Sequence, residues 1–184
     1  VGILKDNQIS LTPTKDLEPF DLSIIPVSNL NKPFSPWTKY QFEIAPYKGW
    51  REHFCNGGYV GIICGQISRN FEAIDVDLKN DPLGIIFEEY IEIIPPELLQ
   101  RLIIRTTPSG GHHIIYRCPS TEIQGNQKLA HSADGEVILE TRGEGGYICT
   151  HLNEYRTIQG EFDLALFHID IPEITPQEKE TLLE

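Results

Sequence analysis

The sequence predicts an α+β domain in which short strands outnumber helices. Runs of apolar and β-branched residues, each roughly four to eight residues long, recur between Gly, Pro and Asn residues. Helical periodicity is restricted to a few short stretches between these runs. With 184 residues, the chain is long enough for one domain with its own hydrophobic core. We therefore expect a mixed or antiparallel sheet flanked by helices.

The predicted elements follow in chain order. The polar residues 1–19, which include two prolines, are expected to form a leader. Predicted strands lie at residues 22–27, 59–65, 71–78, 103–107, 113–117, 137–142 and 146–150, and predicted helices at 47–54, 81–94 and 96–102. The two strongest strands, 59–65 and 71–78, are separated by a polar turn, which predicts a hairpin at the centre of the sheet. Residues 173–184 have a helical pattern with Thr175 as its N-cap and are expected to start a C-terminal linker or helix.

Composition and charge exclude several classes of protein. The chain is 40% hydrophobic and 23% charged, which is ordinary for a globular domain, and no apolar run approaches the roughly 20 residues that span a bilayer. Its four cysteines are scattered without CxxC spacing, so we expect a cytoplasmic protein with reduced thiols. The net charge of −12 argues weakly against nucleic-acid binding, although the acidic residues are concentrated from Glu161 onward.

Two carboxylates share one face of the strand that contains AIDVD. Alternate residues of a strand point the same way, so Asp75 and Asp77 face one side while Ile74 and Val76 face the core. Two like charges a few Å apart in a half-buried strand are unfavourable unless a cation bridges them. The pattern indicates a cation site or a solvent-exposed strand face.

A glycine-rich turn follows the strand at residues 103–107. In Ser109-Gly110-Gly111 the backbone N–H groups can cluster around an anion, and the Ser109 hydroxyl and the His113 imidazole can add donors. His112 and His113 are adjacent, so only one of them can face such a site. The segment indicates a triphosphate-binding loop or a plain Gly-Gly hairpin.

A third carboxylate lies beside an arginine in VILETR. Glu140 and Arg142 are two residues apart and share a face of the predicted strand. A metal–triphosphate site would use such a pair, with the carboxylate on the metal and the guanidinium on phosphate oxygens. The alternative is an exposed Glu/Arg pair.

In this order, the motifs resemble the catalytic core of the primase-polymerase (Prim-Pol) family of the archaeo-eukaryotic primase superfamily. That family has a glycine-rich strand, a strand ending in DxD, an SGGxH turn, and then an acid, a basic residue and a glycine-rich turn. This chain has YVGIICG, IDVDLK, SGGHH and ETRGEGGY in those places, and IIPV, NKP and WTKYQ match the upstream segment. The resemblance covers roughly residues 20–160. It departs after the last turn, where the family often has Pro-Pro-Ser and this chain has CTHLNEY.

The resemblance implies a two-lobed archaeo-eukaryotic primase-type fold with an RRM-like catalytic module, here residues 20–172. It implies a template-dependent nucleotidyltransferase, a DNA primase/polymerase that adds nucleotides to a 3′-hydroxyl with two Mg²⁺ or Mn²⁺ ions. The residues that align with the catalytic, metal-binding acids are Asp75, Asp77 and Glu140, and those that align with nucleotide-binding positions are Ser109, Gly110, Gly111, His113 and Arg142.

The implied partners are nucleoside triphosphates, a single-stranded DNA template with its primer, and a fused or associated helicase, without a membrane. The implied setting is replication of a mobile element, plasmid or phage, or a related defence locus.

Three other hypotheses use parts of the same motifs. A divalent-metal nuclease would use Asp75, Asp77 and Lys79 in a loose PD-(D/E)xK pattern, but leaves SGGHH and ETRGEGG without a role. A rolling-circle relaxase would use Tyr116 as nucleophile, but needs two histidines on one strand face. A non-catalytic nucleotide- or single-stranded-DNA-binding module would not need the three carboxylates close together.

Overall fold

The computed structural model of this chain describes residues 21–79, 83–166 and 168–184. Within these ranges short strands are the main elements, and the helices are few. The strands are β1 Ser23–Val27, β2 Tyr59–Ile63, β3 Phe71–Val76, β4 Ile103–Thr106, β5 His112–Arg117, β6 Lys128–His131, β7 Val137–Arg142, β8 Tyr147–Thr150, β9 Arg156–Gln159, β10 Phe162–Asp163 and β11 His168–Ile169. The helices are α1 Tyr47–Cys55, α2 Ile85–Ile93, α3 Pro96–Leu99 and α4 Pro176–Leu183, with 3-10 turns at Thr38–Gln41 and Gln66–Ser68.

The strands form two principal sheets. The larger has six strands in the order β6-β7-β3-β5-β4-β9, the smaller has three in the order β1-β2-β8, and β10 pairs with β11 separately. Every pairing between these strands is antiparallel. The predicted α+β class is confirmed. The sequence predicts a mixed or an antiparallel sheet, and the sheets are antiparallel.

The predicted central hairpin is wrong. β2 and β3 are neighbours in the chain but lie in different sheets, and only an isolated bridge between Gly65 and Phe71 joins their ends. Gly65 has a φ of 100°, which favours glycine, and the 3-10 turn that follows redirects the chain. Each strand is central in its own sheet because each finds two other antiparallel partners.

The core forms on both faces of the large sheet. On one face, Phe71 and Ala73 of β3 pack in a cluster with Val60 and Ile62 of the small sheet. On the other face, Ile74 and Val76 pack in a cluster that includes residues of α2, α3 and α4. A strand buried on both faces has a nearly continuous apolar sequence, which explains the strong strand signal of this segment.

The C-terminal helix α4 is part of this core. Thr175 caps it in a reciprocal capping box with Glu178, as the sequence pattern predicts. The Lys179 ammonium lies 2.6 Å from the Glu72 carboxylate of β3, and both side chains are buried. The Tyr90 hydroxyl of α2 donates a hydrogen bond of 2.7 Å to the carbonyl of Leu182. Helix α4 is therefore fixed to the helix side of the large sheet.

Other expectations have different outcomes. The seven predicted strands and the helix at 47–54 are present, the strand at 137–142 with its predicted ends and the others with shifted ends, and the two remaining predicted helices shorten to α2 and α3. The predicted leader and the start of the helix at 81–94 lie outside the described residues. Among the residues that are described, no helix is both long and apolar enough to cross a membrane. The boundaries at 19 and 172 and the two-lobed fold stay predictions.

Candidate functional site

A row of polar side chains crosses the large sheet. The strand registers place Asp75 opposite Glu140 on one side and opposite His113 on the other, and they place His113 opposite Arg105. Arg105 is in turn opposite Thr157 of β9. Directly paired residues of an antiparallel sheet point to the same face. The row Glu140–Asp75–His113–Arg105–Thr157 therefore lies on the face away from α2, α3 and α4.

The three carboxylates predicted from the motifs line one pocket. Asp77 follows the last residue of β3, and its backbone N–H donates to the Ile138 carbonyl at 2.9 Å, which keeps it beside β7. Its Oδ1 accepts a hydrogen bond of 2.9 Å from the backbone N–H of Lys79. Asp75, Asp77 and Glu140 share this pocket with Lys79 and Arg142.

Arg142 lies between two of these carboxylates. Its Nη2 is 2.9 Å from Asp75 Oδ2 and 2.6 Å from Glu140 Oε1, and its Nε is 3.1 Å from the same Asp75 oxygen. Burial lowers the pKa of Arg142, but the carboxylates of Asp75 and Glu140 outweigh this effect, and the net pKa is raised. The guanidinium is thus the cation that makes the paired carboxylates tolerable in this structure.

The three carboxylates suit a divalent metal in their chemistry but are not arranged around one position. Carboxylate oxygens are the ligands that Mg²⁺ and Mn²⁺ prefer, so the chemistry of Asp75, Asp77 and Glu140 fits. In the described part of the chain, however, no group of three or more His, Cys, Asp or Glu side chains is arranged around a common metal position. Two of the three carboxylates, those of Asp75 and Glu140, instead contact Arg142.

The SGGHH turn lies against the end of β3. The Thr107 N–H donates to the Gly111 carbonyl at 2.8 Å, and the Gly110 N–H donates to the Thr107 carbonyl at 3.0 Å. Gly110 has a φ of 90°, and a Cβ at Gly111 would lie 2.2 Å from the Val76 carbonyl oxygen. Only glycine fits at both positions. The turn places Ser109 in a pocket shared with Asp75, Asp77 and His113.

The two adjacent histidines face opposite sides of the sheet. His113 is 5% exposed, its Nε2 lies 3.6 Å from Asp75 Oδ1, and its ring stacks on that of Tyr155 at 5.8 Å. Burial is the main cause that lowers the pKa of His113 to about 4, so the imidazole is neutral at neutral pH. His112 stacks on Phe87 of α2 with ring centroids 3.7 Å apart, on the helix side.

The opposite wall of the pocket comes from the small sheet and its loops. It is formed by the "small-sheet wall" residues Asn29, Asn31, Tyr59, Glu154 and Tyr155. Sequence reasoning missed this wall because its members are single polar or aromatic residues without a motif. The one available signal is CTHLNEY, the segment that departs from the family pattern and contains the last two of them.

Sequence reasoning also missed Arg105, which is only 4% exposed. Its guanidinium donates to Thr150 Oγ1 at 2.6 Å, to the Tyr155 carbonyl at 3.1 Å and to Thr157 Oγ1 at 3.3 Å. Burial lowers its pKa to about 10. Arg105 thus ties the segment between β8 and β9, including Tyr155, to β4 of the large sheet. The strand pattern IIRT indicates a face for Arg105 but not these distant partners.

The structure does not support the relaxase hypothesis. Tyr116 is fully buried in the helix-side core, and burial raises the pKa of its hydroxyl well above the usual value. A buried phenol with a raised pKa is a poor nucleophile. The required second histidine, His112, faces the helices.

Comparison with known proteins adds a finding about the sequence. The sequence model described as "Bifunctional DNA primase/polymerase, N-terminal", named Prim-Pol, matches residues 20–162. No curated protein matches the chain. The matched range contains the three carboxylates, the SGGHH turn, Arg142 and the small-sheet wall.

Proposed function

This chain belongs to the Prim-Pol family of bifunctional DNA primases/polymerases, and from that premise we propose that it is a template-dependent nucleotidyltransferase. In this proposal it adds nucleotides from (d)NTPs to a 3′-hydroxyl, with nucleotides and DNA as its substrates. The observation that carries the proposal is that Asp75, Asp77, Ser109, His113 and Arg142 line one pocket although they come from three separate chain segments.

The proposed roles follow from the position of each group. Ser109 and the amide of Gly111 would bind phosphate oxygens at the turn, and Gly110, whose N–H donates to the Thr107 carbonyl, would shape the turn. The neutral His113 would donate a hydrogen bond to the triphosphate from the adjacent strand. Arg142 would contact phosphate oxygens, since a guanidinium matches them in charge and geometry.

Enzymes of this family generally depend on divalent metal, and Asp75, Asp77 and Glu140 are the residues that would hold Mg²⁺ or Mn²⁺ here. Such ions, when bound, neutralise charge on the triphosphate and on the attacking and leaving oxygens. The protein's own part is to position the triphosphate against the turn and to keep the three carboxylates on one side of the sheet. In the same proposal, the setting is replication of a mobile element, plasmid or phage, or a defence locus, with a fused or associated helicase.

Primer extension tests the proposal. A 5′-labelled primer on a DNA template is incubated with the protein, dNTPs or NTPs, and Mg²⁺ or Mn²⁺, and we expect longer products that disappear with Asp77→Asn. A Glu161→Gln variant is the matched control, because Glu161 pairs with His168 and lines neither of the pockets that contain Asp77.

Two other outcomes would contradict the proposal. Shortened primer would favour the nuclease hypothesis, for which Lys79 beside Asp75 and Asp77 is the relevant observation. DNA or nucleotide binding without any change in primer length would favour a non-catalytic binding module.

A further inference from the structure

The small-sheet wall carries a carboxylate into the proposed nucleotide pocket. Glu154 lines the pocket together with Ser109, His113 and Arg142, and its side chain is 45% exposed. It belongs to the segment between β8 and β9, whereas the proposed phosphate-binding groups belong to the large sheet. The large-sheet wall offers Ser109, His113 and Arg142 beside its own carboxylates, whereas Glu154 is the one charged residue of the small-sheet wall.

Glu154 lies beside two ring side chains. The interaction of the Tyr59 hydroxyl with the Glu154 carboxylate is the main cause that raises the pKa of Tyr59 to about 12. The Tyr59 ring stacks on His151 at 4.4 Å, and His151 Nδ1, which accepts a hydrogen bond of 3.3 Å from the Asn153 N–H, lies 3.8 Å from Glu154 Oε1. His151 Nε2 is in turn 3.0 Å from the Gly57 carbonyl oxygen. Tyr59 and His151 therefore border the carboxylate on the small-sheet side of the pocket.

Glu154 does not line the pocket that brings Asp75, Asp77 and Glu140 together, so it needs a partner other than phosphate or the proposed metal. Its repulsion by a triphosphate is unfavourable unless the two are well separated. Besides its phosphates, a nucleotide has a sugar and a base, which are uncharged. The sugar can donate hydrogen bonds to a carboxylate through its hydroxyls, and the base can donate through its N–H groups. Ribose presents two neighbouring hydroxyls that match the two oxygens of a carboxylate, whereas deoxyribose presents one. An acidic residue on a ribose hydroxyl is also a recurring arrangement in dinucleotide sites.

We propose that Glu154 is a specificity-determining residue that accepts hydrogen bonds from the ribose hydroxyls, so that the pocket takes ribonucleoside triphosphates in preference to deoxyribonucleoside triphosphates. The inference rests on the proposed function, and it concerns a segment in which this chain departs from the family pattern. Tyr59 acts through Glu154 as a positioning residue.

Equilibrium binding tests this inference without depending on turnover. Affinities for ATP and dATP are measured by calorimetry with Mn²⁺ present, for the wild type and for Glu154→Gln, Tyr59→Phe and Glu161→Gln. We expect the wild type to bind ATP about tenfold more tightly than dATP, the effect of one hydrogen bond to a charged group. Glu154→Gln should bring the ratio of the ATP and dATP affinities close to one, mainly by weakening the binding of ATP.

The other variants and one further ligand sharpen the result. Tyr59→Phe keeps the ring that stacks on His151 and removes only the hydroxyl, so the ratio should fall by a smaller factor. Glu161→Gln should leave it unchanged. Binding of 3′-dATP between ATP and dATP in strength would show that both hydroxyls contribute. If Glu154→Gln does not fold, as judged by its thermal midpoint, the ratio in Tyr59→Phe decides.

The failures are distinguishable. Equal binding of ATP and dATP by the wild type, or a ratio that neither variant changes, would overturn the role of Glu154 and leave the proposed function standing. If neither nucleotide binds, the proposed function itself is contradicted.

Discussion

At the scale of single residues, Arg142 changes how the carboxylates contribute to the free energy of unfolding. The sequence alone predicts mutual repulsion between Asp75 and Asp77 unless a cation bridges them. In the structure Arg142 hydrogen-bonds to Asp75 through two nitrogens, whereas among the described residues Asp77 accepts a side-chain hydrogen bond only from the backbone N–H of Lys79. The two acids therefore have different roles in the metal-free protein.

Substitution should separate these roles. Asp75→Asn is expected to lower the free energy of unfolding by about 1–2 kcal/mol, because it removes a partly buried ion pair. Asp77→Asn should leave it within about 0.5 kcal/mol of the wild type. Both should abolish primer extension. Urea denaturation without metal checks the stabilities, and equal loss in both variants would contradict the assigned contacts.

His113 should make stability depend on pH. Its pKa is lowered to about 4 in the folded protein, against about 6.5 in an unfolded chain. The unfolded state therefore binds the proton more readily below pH 6.5, so this contribution is fully present above that pH and is lost as the pH falls toward 4. The full effect is on the order of 3 kcal/mol.

The measurement compares urea denaturation of the wild type and His113→Asn from pH 8 to pH 4.5. The difference between their unfolding free energies should shrink as the pH falls. His112→Asn is the matched control: its pKa is also lowered, but its burial is only partial, so its effect should be smaller. A constant difference for His113→Asn would contradict a buried, neutral imidazole.

At the scale of elements, helix α4 depends on one buried ion pair. Lys179→Met should lower the free energy of unfolding by about 3–5 kcal/mol, because it leaves the Glu72 carboxylate buried without its partner. The double variant Glu72→Gln with Lys179→Met should recover much of this loss. The control is Lys39→Met, which removes an exposed pair with Glu43 and should cost under about 1 kcal/mol. Urea denaturation of the four proteins measures these differences.

The sequence predicts elements better than it predicts their partners. The strand of Phe71–Val76 is evident because, apart from Glu72, both of its faces are apolar up to Asp75. Nothing in that run says that β2 would pair with β1 and β8 in another sheet, since partner choice depends on the packing of the two sheets. The edge strands β6 and β9 were missed because they are mostly polar or exposed. Edge strands bury little surface, so their sequences carry a weak pattern.

The residues of the candidate site also fall into two groups, those that the sequence predicts and those that it does not. Asp75, Ser109, His113 and Arg142 could be identified because each lies in a motif whose residues have a short, regular spacing. The small-sheet wall and Arg105 could not, because their partners lie far away in the chain: Arg105 reaches Thr150 across 45 residues. Such contacts exist only once the two sheets have packed.

At the scale of the whole molecule, the net charge of −12 opposes nucleic-acid binding. Divalent ions held by the three carboxylates would offset part of this charge at the site. We therefore expect single-stranded DNA to bind weakly in EDTA and clearly more tightly with Mn²⁺, and Asp77→Asn should reduce this gain. Fluorescence anisotropy with a labelled oligonucleotide at constant ionic strength measures it. Equally tight binding with and without metal would contradict the expectation.

The contact of Gly111 with the Val76 carbonyl makes the main chain a spacer between the two halves of the site. The turn that would bind phosphate and the strand end that carries the carboxylates touch backbone to backbone, at a distance that no side chain sets. Substitutions of Ser109, Asp77 or His113 can therefore change which groups the site offers without changing how far apart its halves lie. A methyl group at Gly111 would do the reverse. It would remove none of the functional side chains but would increase the distance between the turn and the end of β3.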